Sequence, residues 1–178
     1  MTTLLTSLTR NPNGGGDLTP FPIIPPNGGA AAAWPASSTG IFVKFRVNKP
    51  RLASGLRVGI GSASGNAKVA LYTSDGTTAT QVATSGSTAT AGSNAQQDIL
   101  FGTAKIVVPF QDYYAFLVCD NTTVTIFRTT YGSGGFTLPT AFDVSFAVAS
   151  VFTTPPATQA LSGATTAASG YTPILALI

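Results

Sequence analysis

From Gly40 the chain alternates apolar and polar positions with period two: Ile41, Val43, Phe45 and Val47 fall on one side, and Phe42, Lys44 and Arg46 on the other. Successive side chains of a strand point to opposite faces, so this pattern predicts a strand with one apolar face and one mostly polar or basic face. Leu56, Val58 and Ile60 alternate with Arg57 and Gly59 in the same way. Ser64-Gly65-Asn66 then supplies turn residues before the run Lys68-Val69-Ala70-Leu71-Tyr72, and Asp75-Gly76 follows, a dipeptide between apolar runs that signals a hairpin. The expectation is a set of consecutive antiparallel strands over 41–47, 56–60 and 68–72, with another at 81–84. Residues 85–93 are low in complexity and read as a loop. Further strands are expected over 97–101, 105–108, 113–119, 122–129 and 142–152, the last with Phe142, Val144, Phe146 and Val148 on one face. Tyr113 and Tyr114 are adjacent on a strand and face opposite ways, which predicts one inside and one outside. Many short strands separated by Gly, Pro and Asn signals, without a convincing helix, predict an all-β fold: an antiparallel β-sandwich of jelly-roll-like type.

The flanks break the pattern. Residues 1–39 carry Asn11-Pro12-Asn13-Gly14-Gly15-Gly16, Pro20-Phe21-Pro22-Ile23-Ile24-Pro25-Pro26 and Asn27-Gly28-Gly29, then Ala30 to Ala33 before Trp34-Pro35. Prolines so spaced hold the chain extended and forbid a helix, and the alanine run is too short to form one. Phe21, Ile23, Ile24 and Trp34 are too apolar for a plain linker, so an extended N-terminal arm with these four as anchors on a partner is expected; its alternative is an arm that wraps the chain's own domain. The other flank ends in Tyr171-Thr172-Pro173-Ile174-Leu175-Ala176-Leu177-Ile178, an apolar C-terminal tail that either adds a strand to its own sheet or docks on a neighbour. The chain therefore reads as an arm (1–39), a β-sandwich domain (40–152) and a C-terminal extension (153–178).

Composition narrows the function. Among 178 residues there is no histidine, one cysteine, and six acidic residues that are all aspartates. General acid–base catalysis, imidazole metal sites and His-dependent nucleophiles draw on side chains that are missing, so no catalytic, cofactor or metal residue is assigned and an enzyme is not expected. Charged residues make up 8% of the chain, far below the usual quarter of a soluble domain, which points to hydroxyl-rich surfaces or to assembly that hides surface. No stretch approaches the roughly 20 apolar residues of a membrane helix, and the first residues lack a signal-peptide pattern. Synthesis in a cytoplasm and no membrane association are expected. The lone Cys119 forms no internal disulfide and reads as a small buried hydrophobe.

The net charge is +3, and five of the nine cations (Lys44, Arg46, Lys49, Arg51 and Arg57) fall in one short region, 44–57, within the acid-free span between Asp17 and Asp75. Lys44, Arg46, Lys49 and Arg51 are the expected electrostatic face toward an acidic protein surface or glycan; the alternative is a solvated strand face that blocks sheet-to-sheet aggregation. Nothing resembles a recognition helix, zinc finger or RNA platform, so nucleic acid is not an expected partner. The aspartates have turn or exposed-strand roles, and Asp120-Asn121 lacks the loop of a calcium site. Trp34, Tyr131 and one of Tyr113 and Tyr114 form either a sugar-stacking surface or ordinary core.

The segments Pro50-Arg51-Leu52-Ala53-Ser54-Gly55-Leu56-Arg57-Val58-Gly59-Ile60, Ser64-Gly65-Asn66-Ala67-Lys68-Val69-Ala70-Leu71-Tyr72-Thr73-Ser74-Asp75-Gly76 and Tyr113-Tyr114-Ala115-Phe116-Leu117-Val118 resemble a β-sandwich module of bacteriophage virion proteins, over roughly residues 41–150. The resemblance implies a particle component located in the virion: a capsid decoration or cement protein bound to the major capsid protein or other virion proteins, or a tail- or fibre-associated module that recognises a host-surface glycan. It brings no catalytic residues. Fibrous repeats and a shaft are lacking, which favours the compact decoration protein, and a homotrimer is expected because capsid lattices present local threefold positions.

Overall fold

The structure, a computed structural model, describes residues 30–130, 145–148, 151–161 and 171–178. Two antiparallel sheets face each other. One is built on β3 (Arg51–Ser62), with β7 (Ser93–Val107) along one edge and β9 (Thr125–Thr130) and β13 (Leu175–Leu177) sharing the other; β1 (Ala31–Ala33) and β12 (Tyr171–Pro173) pair with β9. The second runs β10 (Ser145–Val148), β2 (Gly40–Phe45), β8 (Asp112–Cys119), β4 (Asn66–Ser74), β5 (Thr78–Thr84), β11 (Thr158–Ala160), with β6 (Thr88–Ala89) also on β4. The all-β antiparallel sandwich read from the sequence is thus the architecture, since each inward set of alternating apolar residues finds its complement on the opposite sheet.

The core between the sheets takes Ile41, Val43 and Phe45 from β2, Leu56, Val58 and Ile60 from β3, Val69 and Leu71 from β4, and Tyr113, Ala115, Leu117 and Cys119 from β8. Burial pushes the Cys119 thiol well above its ordinary range, consistent with a packing role. The second sheet has an apolar outer face as well: Phe42, Ala70, Tyr72, Ala79, Tyr114, Phe116 and Val118 form a second cluster, with Val151, Phe152 and Leu161 packed on it. Residues 151–161 lie over this face. The Tyr72 hydroxyl donates to the Pro156 carbonyl at 2.8 Å, Lys68 Nζ donates to the Thr153 carbonyl at 2.9 Å, and the Gln81 and Leu161 amides donate to the carbonyls of Ala157 and Thr77. Burial raises the Tyr72 phenol to about 12.

Four expectations are revised. The segments at 56–60 and 68–72 do not pair as neighbours: the Ser64-Gly65-Asn66 turn, with Gly65 at φ 63°, carries the chain from one sheet to the other, and only β4 and β5 form a hairpin. Their apolar faces look at each other across the core, which satisfies the same alternation that pairing would. The strands expected at 97–101 and 105–108 are one strand with a register break, where β3 advances from Ala53 to Gly55 while β7 moves from Lys105 to Leu100. Ala31–Ala33, read as arm, is a strand on β9, and Trp34 is 1% exposed in the inner core with Nε1–H donating to the Thr39 carbonyl at 2.9 Å. The sheets therefore recruit residues on both sides of the 40–152 span. Tyr113 and Tyr114 do face opposite ways, but both are buried, because the second sheet is covered on both faces.

The C-terminal tail adds strands to its own sheet. Pro173 is opposite Arg128 of β9 and Leu175 opposite Val58 of β3, so the tail fills the gap where those two strands diverge. Ile174 N–H donates to the Phe127 carbonyl at 2.9 Å, Ile178 N–H to the Gly55 carbonyl at 3.1 Å, and Ser54 N–H to the Ile178 carbonyl at 2.5 Å.

Candidate functional site

Strand β3 alternates as the sequence predicts until the register break, and its outward residues are set by that break. Leu52 and Ile106 are opposite each other on the β3–β7 pair, flanked by the fully buried Ala53 and Val107, so their side chains point away from the core. Leu100, opposite Gly55, is exposed too. Val108 and Phe110 follow in the β7–β8 turn. Among the described residues, these five are the large apolar side chains that stand exposed, and all lie on one strand pair and its adjoining turn.

The turn is firmly held. Tyr113 stacks on Phe45 with ring centroids 5.6 Å apart, and its hydroxyl accepts the Val108 N–H at 3.0 Å. Gln111 Nε2 donates to the Ser74 carbonyl at 2.5 Å, tying the turn to the β4–β5 hairpin. Between these two anchors Phe110 sits at φ 65° and is 94% exposed. A bulky residue in the left-handed region is disfavoured, so both its backbone and its side chain are held where they gain nothing from the chain's own core.

The β2–β3 connection lies at the same end of the sandwich, because Phe45 is opposite Tyr113 and Arg51 opposite Val107. This end carries the expected basic face, and the structure divides it. Lys44 Nζ lies 2.9 Å from Asp112 Oδ2, and Arg46 hydrogen-bonds to Asp112 Oδ1. An acid remote in sequence thus answers both cations, which no local charge count would show. Lys49 is exposed, Arg51 is half-buried at the start of β3, and Lys105 is exposed on β7. Arg57 forms a bidentate pair with Asp98, at 2.6 and 2.8 Å, further along the outer face.

The Arg46 hydrogen bond, followed by those from Lys44, holds the Asp112 carboxyl below the usual aspartate range; burial opposes this shift. A folded-state value below the unfolded one, about 3.9, stabilises the fold at pH above that value, and the stabilisation is lost as pH falls through the folded value. Asp112→Asn should therefore lower the urea midpoint near pH 7 and flatten its decline on acidification below about pH 4. An unchanged acid limb in that variant would show that Asp112 does not carry it.

The other described aspartates are also engaged. Asp75 caps its own turn by accepting from the Thr77 and Thr78 amides, which hold its carboxyl below the usual aspartate range. Asp120 accepts from the Asn66 amide and side chain and from Asn121 Nδ2, so it staples two loops at the far end of the sandwich. Among the described residues no three metal-ligating side chains gather.

Of the expected partner-binding residues, Lys44, Arg46, Lys49 and Arg51 come together at the end of the sandwich that carries the β7–β8 turn. Trp34 is corrected from arm anchor to core residue, since the inner core closes over it and its indole N–H is bonded within the chain. Phe21, Ile23 and Ile24 lie outside the described residues, as do Tyr131, Asp17 and Asp143. Trp34, Tyr113 and Tyr114 are all buried, so these three of the aromatics expected for sugar stacking serve as packing. The sequence reading missed Leu52, Leu100, Ile106, Val108 and Phe110. The available signal was Val108-Pro109-Phe110-Gln111, an aromatic placed directly after proline in a turn between strands. No protein-family model, curated protein or solved structure matches the chain.

Proposed function

We propose that the chain is a non-enzymatic structural protein of a bacteriophage particle, a decoration or cement protein that stabilises the head by bridging major capsid subunits. The observation that carries this reading is the gathering of the exposed large apolar side chains onto β3, β7 and the following turn. Exposed large apolar side chains concentrated on one strand pair and its turn are a property of contact surfaces, whereas residues scattered singly over a surface are not. A chain without histidine or glutamate, and with charged residues at 8%, is suited to act through contact area. The resemblance to virion β-sandwich modules supplies the setting. As a homotrimer at a local threefold position, each chain adds a weak contact whose neighbours raise its effective concentration, and the sum opposes shell rupture. Trp34, Tyr113 and Tyr114 are buried, so these three of the aromatics considered for glycan stacking are engaged in packing, which favours the decoration reading.

The test is co-sedimentation of the purified protein with capsid shells stripped of it and, in parallel, with intact susceptible cells. Saturable binding to shells alone is expected. Binding to cells alone would overturn the reading in favour of receptor recognition.

A further inference from the structure

We infer that the β7–β8 turn is an aromatic anchor for an acidic protein surface: Phe110 enters an apolar pocket on the partner, Leu52, Ile106 and Val108 pack around it, and Lys49 and Lys105, the latter on the face of β7 opposite Ile106, make this end of the sandwich positive toward partner carboxylates. This assignment rests on the reading of the chain as a particle component and names the chemistry of its contact.

Three features of the turn carry it. Phe110 combines a left-handed backbone, φ 65°, with 94% exposure, so the fold holds the ring outward at a conformational cost and gains no core burial from it. Its two supports, Val108 N–H on the Tyr113 hydroxyl and Gln111 on the Ser74 carbonyl, hold the backbone on either side of Phe110 before any partner arrives. An aromatic side chain carried on a held backbone loses less conformational freedom on docking than one on a loose loop, which is the property of an effective interface anchor. Leu52 and Ile106, paired across β3 and β7 on the strand pair that leads into the turn, add exposed apolar side chains.

Charge selects the occupant. Asp112 is engaged by Lys44 and Arg46, while Lys49 and Lys105 are exposed and, among the described residues, have no ion pair. The end of the sandwich is therefore net positive. A second copy docked through the same patch would set these lysines against their own counterparts, because a twofold contact is self-facing. An anionic bilayer draws on clusters of roughly four to eight basic residues, more than this end has free of acids. One aromatic anchor with an apolar rim and a few flanking cations matches an acidic protein surface with a pocket.

The experiment compares the wild-type chain with Phe110→Gly and with the double variant Lys49→Glu/Lys105→Glu. Each is assayed for binding to stripped capsid shells, for flotation with vesicles mixing phosphatidylglycerol and phosphatidylcholine, and for self-association by sedimentation velocity. Glycine adopts the left-handed backbone without steric penalty, so Phe110→Gly should keep or raise the melting temperature while shell affinity falls at least about tenfold. The double reversal should lose affinity to a similar extent and invert the weakening of shell binding by salt. Wild-type-like shell binding by Phe110→Gly would overturn the anchor and leave the particle reading standing. Vesicle binding lost in the variants would replace the protein partner by a membrane, and self-association lost in them would replace it by a second copy. Failure of the wild type itself to bind shells would remove the particle reading, and the anchor with it.

Discussion

Phe116→Ala is expected to destabilise the fold by about 3–5 kcal/mol, the range for deleting a buried phenyl ring. Phe116 is fully buried at the centre of β8, on the outer face of the second sheet, with Phe42 and Ala70 as its neighbours in register. Its ring centroid lies 4.7 Å from that of Phe42 and 5.9 Å from that of Tyr72, and Val151 belongs to the same cluster. The substitution would empty the space beneath residues 151–161, which span too much backbone to collapse into it. With total stabilities of about 5–15 kcal/mol in ordinary domains, this is a large fraction of the whole. Urea denaturation followed by tyrosine fluorescence measures it. A loss under about 1 kcal/mol would show that the second cluster is not closed in solution. Gly40 supplies an independent check. A Cβ there would overlap the Phe116 ring edge and come within 2.7 Å of Val151 Cγ2, so Gly40→Ala should destabilise by overpacking. Phe116→Leu should cost less in the Gly40→Ala background than in the wild type, because the shorter side chain vacates the space the methyl needs.

The two-sided burial behind this result was present in the sequence but ambiguous. Tyr113-Tyr114-Ala115-Phe116-Leu117-Val118-Cys119 is an unbroken apolar run, and such runs belong to strands covered on both faces. Expecting one tyrosine outside applied the alternation rule of a half-exposed strand to a run that does not alternate. The covering segment was hidden for a different reason. Phe152-Thr153-Thr154-Pro155-Pro156 has no period of its own, because it is fixed by Tyr72, Gln81 and Lys68 of strands far away in the chain. Local pattern also identified the Asp75-Gly76 hairpin and the Gly65 turn correctly as turns. It could not say that the first joins paired strands and the second joins two sheets, since turn chemistry is the same in both.

The candidate site divides along the same line. Lys44, Arg46, Lys49 and Arg51 were legible as a basic cluster because they are close in sequence, and the structure keeps them at one end. Their partial neutralisation was not legible, because Asp112 reaches Lys44 and Arg46 only through the pairing of β2 with β8. Leu52 and Ile106 each look like ordinary strand residues. The exposure of Leu52 follows from the register break after Ala53, which shifts the inward positions of β3 from Leu56, Val58 and Ile60 to Ala53, whereas Ile106 lies on the same outward side of β7 as Leu100, with Ile99, Phe101 and Val107 facing the core. Phe110 stands out only when its positive φ and its exposure are known together, and neither is written in a hydropathy pattern.

Removing residues 171–178 should have the other large effect, and its sign discriminates between the two fates open to an apolar tail. Leu175 and Leu177 are buried in the inner core, and burial of such side chains is worth about 1.5–3 kcal/mol each. Their loss would also strip partners from the Phe127 and Gly55 carbonyls and the Ser54 amide, and would open facing edges on β3 and β9. Open edges of that kind recruit other chains. The truncated chain should therefore lose well over about 4 kcal/mol and be recovered unfolded or aggregated, whereas Leu175→Ala alone should remain soluble with a loss of about 2–5 kcal/mol. A tail that served only to dock on a neighbour would behave oppositely: the shortened protein would melt as the full chain does and fail only in assembly. Thermal melts and gel filtration of the two variants side by side separate these cases, because the point variant establishes how much of the loss comes from the leucine contacts before the backbone pairing is removed.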